Sequence, residues 1–301
     1  MLRNYLNEEI YKLIISNFNF CDVTEIRMRV NQRLIVVIKN KKFYLKDSEQ
    51  KYVIVTSQII ENFIKRACEN SIYACNDKIV DGFLCLPNGI RVGICGEVIA
   101  ENNKVITVKN FQAINIRIPH VIKNCSLIAY DYLVDCSDVK NTLIISAPGA
   151  GKTTFIRDFV YQLNAHNVHQ NILIVDERNE ICSVNHGVPS LDMGSFCDIY
   201  TNCSKKYAFT NGIRSMRPDV IITDELNLET DIDCVINAIN CGVKVVATIH
   251  AKDVEQLKFK PNFDYILQNK FFSRFVVLTT DEGPGTLTKI YDEKLNCIYC
   301  R

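Results

Sequence analysis

Apolar positions along the chain change their period near residue 120, which divides the sequence into two regions. In the first, apolar residues recur at helical spacing over about Leu2–Phe18 and again over Thr56–Asn70, where Ile59, Ile60, Phe63, Ile64 and Ala67 share a face. The remaining runs are short and strand-like: Glu25–Val30, Leu34–Ile38, Lys42–Leu45, Gly82–Leu86, Ile90–Cys95, Val105–Val108 and Ala113–Ile118. Pro87-Asn88-Gly89 between two such runs predicts a hairpin. Residues 1–120 thus read as a small α+β domain, with Pro119–Cys125 as the linker.

Residues 126–301 follow a different pattern. A helix over Leu127–Asp135 precedes the apolar run Thr142–Ser146, a glycine-rich loop, and a helix from Thr153 to about Asn164. The runs Ile172–Val175, Val220–Thr223 and Val243–Ile249 follow, with a helix over Asp231–Asn240. Short apolar strands alternating with helices predict an α/β domain whose parallel sheet is covered on both faces. Phe275–Thr280 and Leu287–Tyr291, joined through Gly283-Pro284-Gly285, predict a last hairpin.

Composition narrows the class. With 48% apolar and 23% charged residues among 301, the chain is globular rather than disordered. A formal net charge of +1 argues against nucleic acid as a partner held by bulk electrostatics. The clusters Lys39–Lys42, Lys65-Arg66 and Lys205-Lys206 read as solvated faces. No apolar run reaches the length of a membrane span and no export signal opens the chain, so the expectation is a cytoplasmic protein without direct membrane insertion. Most of the 14 cysteines sit in apolar strings and read as core residues. Cys297 and Cys300 form a C-x-x-C without the second ligand pair a zinc site needs.

The loop Ala147-Pro148-Gly149-Ala150-Gly151-Lys152-Thr153-Thr154 carries the first chemistry. Gly149 and Gly151, with Ala150 between them, let the backbone approach phosphate; Lys152 reaches the outer phosphates, and Thr153 offers a hydroxyl to Mg²⁺. The helix that follows adds backbone N–H groups, Thr154 among them. ATP with Mg²⁺ is therefore the expected ligand. Two acidic pairs end apolar runs, Asp176-Glu177 and Asp224-Glu225. Either could order Mg²⁺ through its Asp and polarise water through its Glu. We expect Ile172–Val175 to be an extra strand between the P-loop strand and the metal-binding strand, which favours Asp224 for Mg²⁺ and Glu225 for catalysis. His250 ends another run, in reach of a γ-phosphate or a neighbouring subunit. Arg27, Arg29, Arg91 and Arg117 lie in strand-like runs of the first domain, and Arg217 precedes Val220–Thr223. Each is a candidate for meeting charge on the γ-phosphate.

Taken together, Ala147–Thr154, Val175-Asp176-Glu177-Arg178, Arg214–Asp219 leading to Thr223-Asp224-Glu225, and Ala247-Thr248-Ile249-His250-Ala251 resemble the Walker A, Asp, Walker B and His boxes of the type II/type IV secretion ATPases. Glu25–Arg29, Gly89–Ile94, Asn115–Ile118, Phe275–Leu278 and Gly283–Thr286 extend the similarity to the stage III sporulation branch of that superfamily. The resemblance implies a RecA-like P-loop domain behind the smaller α+β domain, and a homo-hexamer that hydrolyses ATP between them. Glu177 would belong to the Asp box and His250 to the His box. It also implies a mother-cell location, at the membrane facing the forespore, and membrane proteins of a stage III secretion-like complex as partners. Two positions depart from the family pattern: Ser146 stands for the first Walker A glycine, and Ile118-Pro119-His120-Val121 for a more charged stretch. The alternatives are a RecA-like nucleic-acid-dependent ATPase and a slow nucleotide-gated assembly scaffold.

Overall fold

A computed structural model describes residues 2–39, 41–102, 104–119, 122–166, 168–185 and 187–301. The chain divides into two compact units, Met1–His120 and Val121–Arg301. Part of the expected linker, His120 and Val121, lies outside the described residues.

Unit 1 is a six-stranded antiparallel sheet in the order β3-β2-β1-β6-β5-β4. Its strands are β1 (Val23–Arg29), β2 (Ile35–Ile38), β3 (Lys41–Tyr44), β4 (Phe83–Leu86), β5 (Ile90–Glu101) and β6 (Lys104–Arg117). One face is covered by α1 (Glu8–Asn17), capped by Asn7, and by α2 (Ser57–Ala67), capped by Thr56. The short α3 (Asn76–Val80) completes it. Period-two alternation does the sorting. Ile26 and Met28 of β1 enter the core with Ile114, Ile116, Ile10, Ile14, Phe63 and Ile64, so Glu25, Arg27 and Arg29 fall on the other face. The expected leading helix breaks at Asn7, leaving only a 3₁₀ turn at Leu2–Asn4. The two expected strands within β6 are one. Opposite Gly96 the register shifts, Asn110 takes φ 48°, and this bulge carries the ladder through a polar stretch. A Cβ at Gly96 would lie 2.8 Å from the Lys109 carbonyl oxygen, so only glycine fits.

Unit 2 opens with α4 (Leu127–Leu133) and the two-residue strands β7 (Val134–Asp135) and β8 (Asp138–Val139). Its eight-stranded sheet runs β13-β10-β14-β15-β9-β16-β17-β18. Six neighbouring strands are parallel: β9 (Thr142–Ser146), β10 (Ile172–Asp176), β13 (Cys197–Thr201), β14 (Val220–Thr223), β15 (Lys244–His250) and β16 (Arg274–Thr279). Antiparallel β17 (Thr286–Asp292) and β18 (Cys297–Cys300) close one edge. A small ribbon, β11 (Val184–Asn185) with β12 (Val188–Pro189), lies outside the sheet.

Both faces are buried, as apolar runs without alternation require. Leu143 and Ile145 of β9 join one core with α6 (Lys205–Ser215), α7 (Ile232–Asn240), α8 (Val254–Leu257) and α9 (Phe263–Gln268). Ile144 joins the other, against Phe155, Ile156 and Phe159 of α5 (Lys152–Ala165). Among the described residues, no helix is long and apolar enough to cross a membrane.

The sheet order corrects one expectation. Ile172–Asp176 does not lie between the P-loop strand and Val220–Thr223. It flanks Val220–Thr223 on the far side, and the strand in between is Lys244–His250. Chain order misled because each crossover helix returns the chain to a strand position that linear order does not reveal.

A candidate nucleotide site at the carboxyl edge of the parallel sheet

The loop from β9 to α5 folds as its glycines allow. Gly149 and Gly151 take φ of 77° and 89°, in the left-handed region. Gly151 is needed for a second reason: a Cβ there would sit 2.2 Å from the Gly285 amide nitrogen. The turn between β16 and β17 therefore packs directly on the loop, and Gly285 N–H donates to the Ala150 carbonyl at 2.8 Å. The sequence marked Gly283-Pro284-Gly285 as a hairpin but carried no sign of where it docks. Ser146 is fully buried in β9 with ordinary extended backbone, so nothing at that position calls for glycine.

Parallel strands bring their carboxyl ends to one edge. There Pro148, Gly149, Gly151, Lys152, Thr153 and Thr154 line a cavity of about 400 Å³ together with Asp224, Glu225, Thr248, His250, Arg178 and Pro284. Lys152 Nζ lies 2.7 Å from His250 Nδ1. An ammonium only donates, so Nδ1 accepts and the ring proton sits on Nε2. That nitrogen is 3.3 Å from Glu225 Oε2, and Arg178 Nη1 is 3.7 Å from the same oxygen. Burial holds the Lys152 amine below its usual range, opposed by the charges of Glu225 and Asp224. Asp224 is pushed up to about 7: burial dominates, Lys205 opposes it, and Asp176, Glu180 and Glu177 reinforce it. The Thr248 hydroxyl is buried without a hydrogen-bond partner and lines this cavity. Sequence reading passed over it, although it stands two residues before His250 on the same face of β15.

The other acidic pair has different surroundings. Asp176 is fully buried and accepts the N–H groups of Glu180, Ile181 and Cys182 at 2.7, 3.0 and 2.8 Å. Its carboxyl is raised by burial and held back by those amides and by Arg157. Arg157 donates to the carbonyls of Glu180 and Ile181, closing the loop. Asp176 thus shapes a turn. Glu177 faces Lys205, Oε2 to Nζ at 2.7 Å.

A second anchor holds the start of unit 2. Asp158 of α5, buried, accepts the N–H groups of Asn124 and Ser126 and the Ser126 hydroxyl at 2.7, 2.8 and 2.6 Å. Cys125 lies between, its thiol pushed up to about 12 by burial and by Asp158.

The family model for sporulation stage III, protein AA matches residues 2–298. The chain belongs to that family. The Bacillus subtilis stage III sporulation protein AA is 29% identical over 302 residues, 99% of this chain and 94% of that one. The Yersinia pseudotuberculosis ATPase DotB superposes with a TM-score of 0.64 at 13% identity, over 96% of this chain and 80% of DotB. The pilus retraction motor PilT, solved with bound ADP, gives 0.57 at 15% identity over 90% and 77%. The fold is that of the P-loop secretion ATPases: an α/β unit with a parallel sheet that follows a smaller unit in the chain.

The arginines divide. Arg217 is exposed at the amino end of β14, the opposite edge from Asp224, and is not part of the cavity of its own unit. In unit 1, register aligns Glu25, Arg117 and Arg91 across β1, β6 and β5. Arg27 and Arg117 approach Glu25 at 2.8 and 3.6 Å, and the Arg91 guanidinium stands 3.9 Å from the Phe83 ring centroid. Arg29 shares the outward face of β1 with Arg27.

Proposed function

We propose that this sporulation-family chain is an ATP-hydrolysing, ring-forming motor subunit that energises a mother cell–forespore transenvelope complex. The observation that carries this reading is the convergence of Lys152, Glu225 and His250 on the P-loop cavity, with the partly buried Asp224 in the same lining. The orphaned Thr248 hydroxyl in the same wall supports a polar ligand there.

In this reading the N–H groups at the start of α5 and the Lys152 ammonium bind the phosphates. Lys152 then exchanges His250 for the outer phosphates. Mg²⁺ suits the donor set: Thr153 and Asp224 offer two oxygens, and this cation keeps most of its shell as phosphate and water. When bound, it neutralises charge on the β- and γ-phosphate oxygens. Glu225 accepts a proton from the attacking water as the water oxygen bonds to the γ-phosphorus. The bond to the β–γ bridging oxygen breaks, and ADP and phosphate leave. His250, donating from Nε2, orients the Glu225 carboxylate. Arg27, Arg29, Arg91, Arg117 and Arg217 remain candidates to meet transition-state charge, Arg217 only from another subunit.

The homo-hexamer, the mother-cell location facing the forespore membrane, and membrane proteins of a stage III complex as partners belong to the same proposal. Turnover by the purified chain tests it. Lys152→Ala abolishes nucleotide binding, whereas Glu225→Gln keeps ATP bound and slows hydrolysis on the order of a hundredfold or more. Normal hydrolysis by Glu225→Gln together with a dead Glu177→Gln would reverse the two acidic pairs. A chain that binds ATP and never turns it over sinks the motor.

A further inference from the structure

Lys205 opens helix α6, and its side chain is only 5% exposed. The sequence placed it with Lys206 on a solvated face; Lys206 is exposed, and Lys205 is not. Its position runs against two ordinary preferences. The first turn is the positive end of a helix dipole, where a cation is disfavoured. An ammonium taken out of water also loses its hydration, which only close counter-charges restore. The helix start is nevertheless fixed here. Ser204 caps it by accepting the Tyr207 N–H, and Gly212 packs so tightly on β10 that a Cβ would lie 2.3 Å from Leu173 Cδ2.

Three carboxylates from three separate elements answer the misplaced charge. Lys205 Nζ lies 2.7 Å from Glu177 Oε2 beyond β10, 3.8 Å from Asp224 Oδ1 beyond β14, and 3.9 Å from Asp231 Oδ2 before α7. Asp231 is itself held, accepting the Asn227 N–H and the Thr230 hydroxyl, each at 3.0 Å. The carboxylates therefore converge on a fixed buried cation rather than on one another.

We propose that Lys205 is a positioning residue for nucleotide hydrolysis. It ties the Glu177 carboxylate to the end of β14, fixes Asp224 where the nucleotide's metal binds, and so leaves water activation to Glu225. This rests on the ATPase reading above. Locally the charge balance is one cation against three carboxylates, so removing Lys205 leaves carboxylates that repel one another beside the metal site.

The test is nucleotide affinity of the full chain, measured with a fluorescent ATP analogue in EDTA and again in Mg²⁺, for wild type, Lys205→Met and Lys205→Arg. Lys205→Met is expected to bind in EDTA as wild type does. It should lose the affinity gained from Mg²⁺ by at least about tenfold, and turnover by a similar factor, as when a residue that orients a metal ligand is removed. Lys205→Arg, which keeps the charge, restores part of both. A merely structural lysine would lower EDTA binding and melting temperature together and would not single out the Mg²⁺-dependent gain. Folded Lys205→Met with the full gain and turnover within about twofold of wild type overturns the proposal. If Lys205→Met does not fold, the Glu177→Gln/Lys205→Met double variant, relieved of one unpaired carboxylate, takes its place, with Glu177→Gln alone as its reference in place of wild type. A wild-type chain that binds no nucleotide overturns this proposal and the ATPase reading together, whereas binding with an intact Mg²⁺ response in Lys205→Met overturns this one alone.

Discussion

Asp176 and Asp224 end neighbouring parallel strands with the same side chain, and their surroundings separate them. Three backbone amides hold Asp176, while Asp224 is partly buried beside a lysine with its charge poorly compensated. The stability consequence of that difference can be signed. The Asp224 carboxyl stands at about 7, above its unfolded value near 3.8, so the folded state favours the protonated form. Above pH 7 the ionised carboxylate costs stability on the order of 4 kcal/mol; the cost shrinks as pH falls and vanishes below about pH 4. In Mg²⁺-free buffer, Asp224→Asn should therefore melt higher than wild type at pH 8, with the gap closing towards pH 4. A gap that is constant or widens on acidification contradicts the burial argument. The identity of the P-loop, of the two acidic pairs and of His250 was legible in the sequence, because each is a short motif ending an apolar run. What each carboxylate faces was not: the amides of Glu180–Cys182 return to Asp176 within a local turn that carries no residue-type signal, and Lys205 reaches Asp224 and Glu177 from a separate helix. Thr248 escaped for a related reason: a hydroxyl inside a strand carries no signal until its lack of a partner is seen.

Elements were legible where the apolar period was clean. Thr142–Ser146 and Val220–Thr223 have the bounds their runs predict, and the helix after the P-loop differs from its expected start by one residue. Polar elements were not: the helix Lys205–Ser215 and the strand Cys197–Thr201 hold their places through packing against β10, not through periodicity. The same limit hid the anchor on α5. Asp158 lies in a helix pattern where a carboxylate usually faces water, yet it is buried and binds the strap at Asn124–Ser126. Asp158→Ala leaves buried N–H and O–H donors without an acceptor, which costs about 3 kcal/mol. For a unit of this size that corresponds to a fall in melting temperature of about 6–12 °C, readable by calorimetry. Asp158→Asn, which keeps one acceptor oxygen, should recover part of the loss. Equal melting of Asp158→Ala and wild type would show that the strap is held by apolar contacts alone.

On the scale of the whole molecule, the proposed hydrolysis would depend on which subunit supplies positive charge to the γ-phosphate. Inside unit 2 the cavity already contains Lys152 and Arg178, while Arg217 stands at the far edge of the same sheet. On unit 1, Arg27 and Arg117 flank Glu25 on one sheet face, in a row that β1–β6–β5 register continues to Arg91. Strand ladders space these guanidinium groups rigidly, which suits recognition of a phosphate better than long side chains on a loop would. If one of them acts across subunits, a ring assembled from two defective chains regains complete sites. Lys152→Ala subunits still supply the arginine, and Arg→Ala subunits still supply an intact P-loop. Random co-assembly of the two should then turn over ATP faster than either alone, by a factor that follows the fraction of mixed interfaces. The experiment is run pairwise for Arg27, Arg29, Arg91, Arg117 and Arg217, with size measured with and without a non-hydrolysable ATP analogue to establish that rings form. An arginine acting within its own subunit gives no recovery, because no mixed interface pairs its guanidinium with the P-loop it serves. Recovery for Arg217 alone would place the trans contact on unit 2, and recovery for none of the five would remove the trans-arginine from the mechanism.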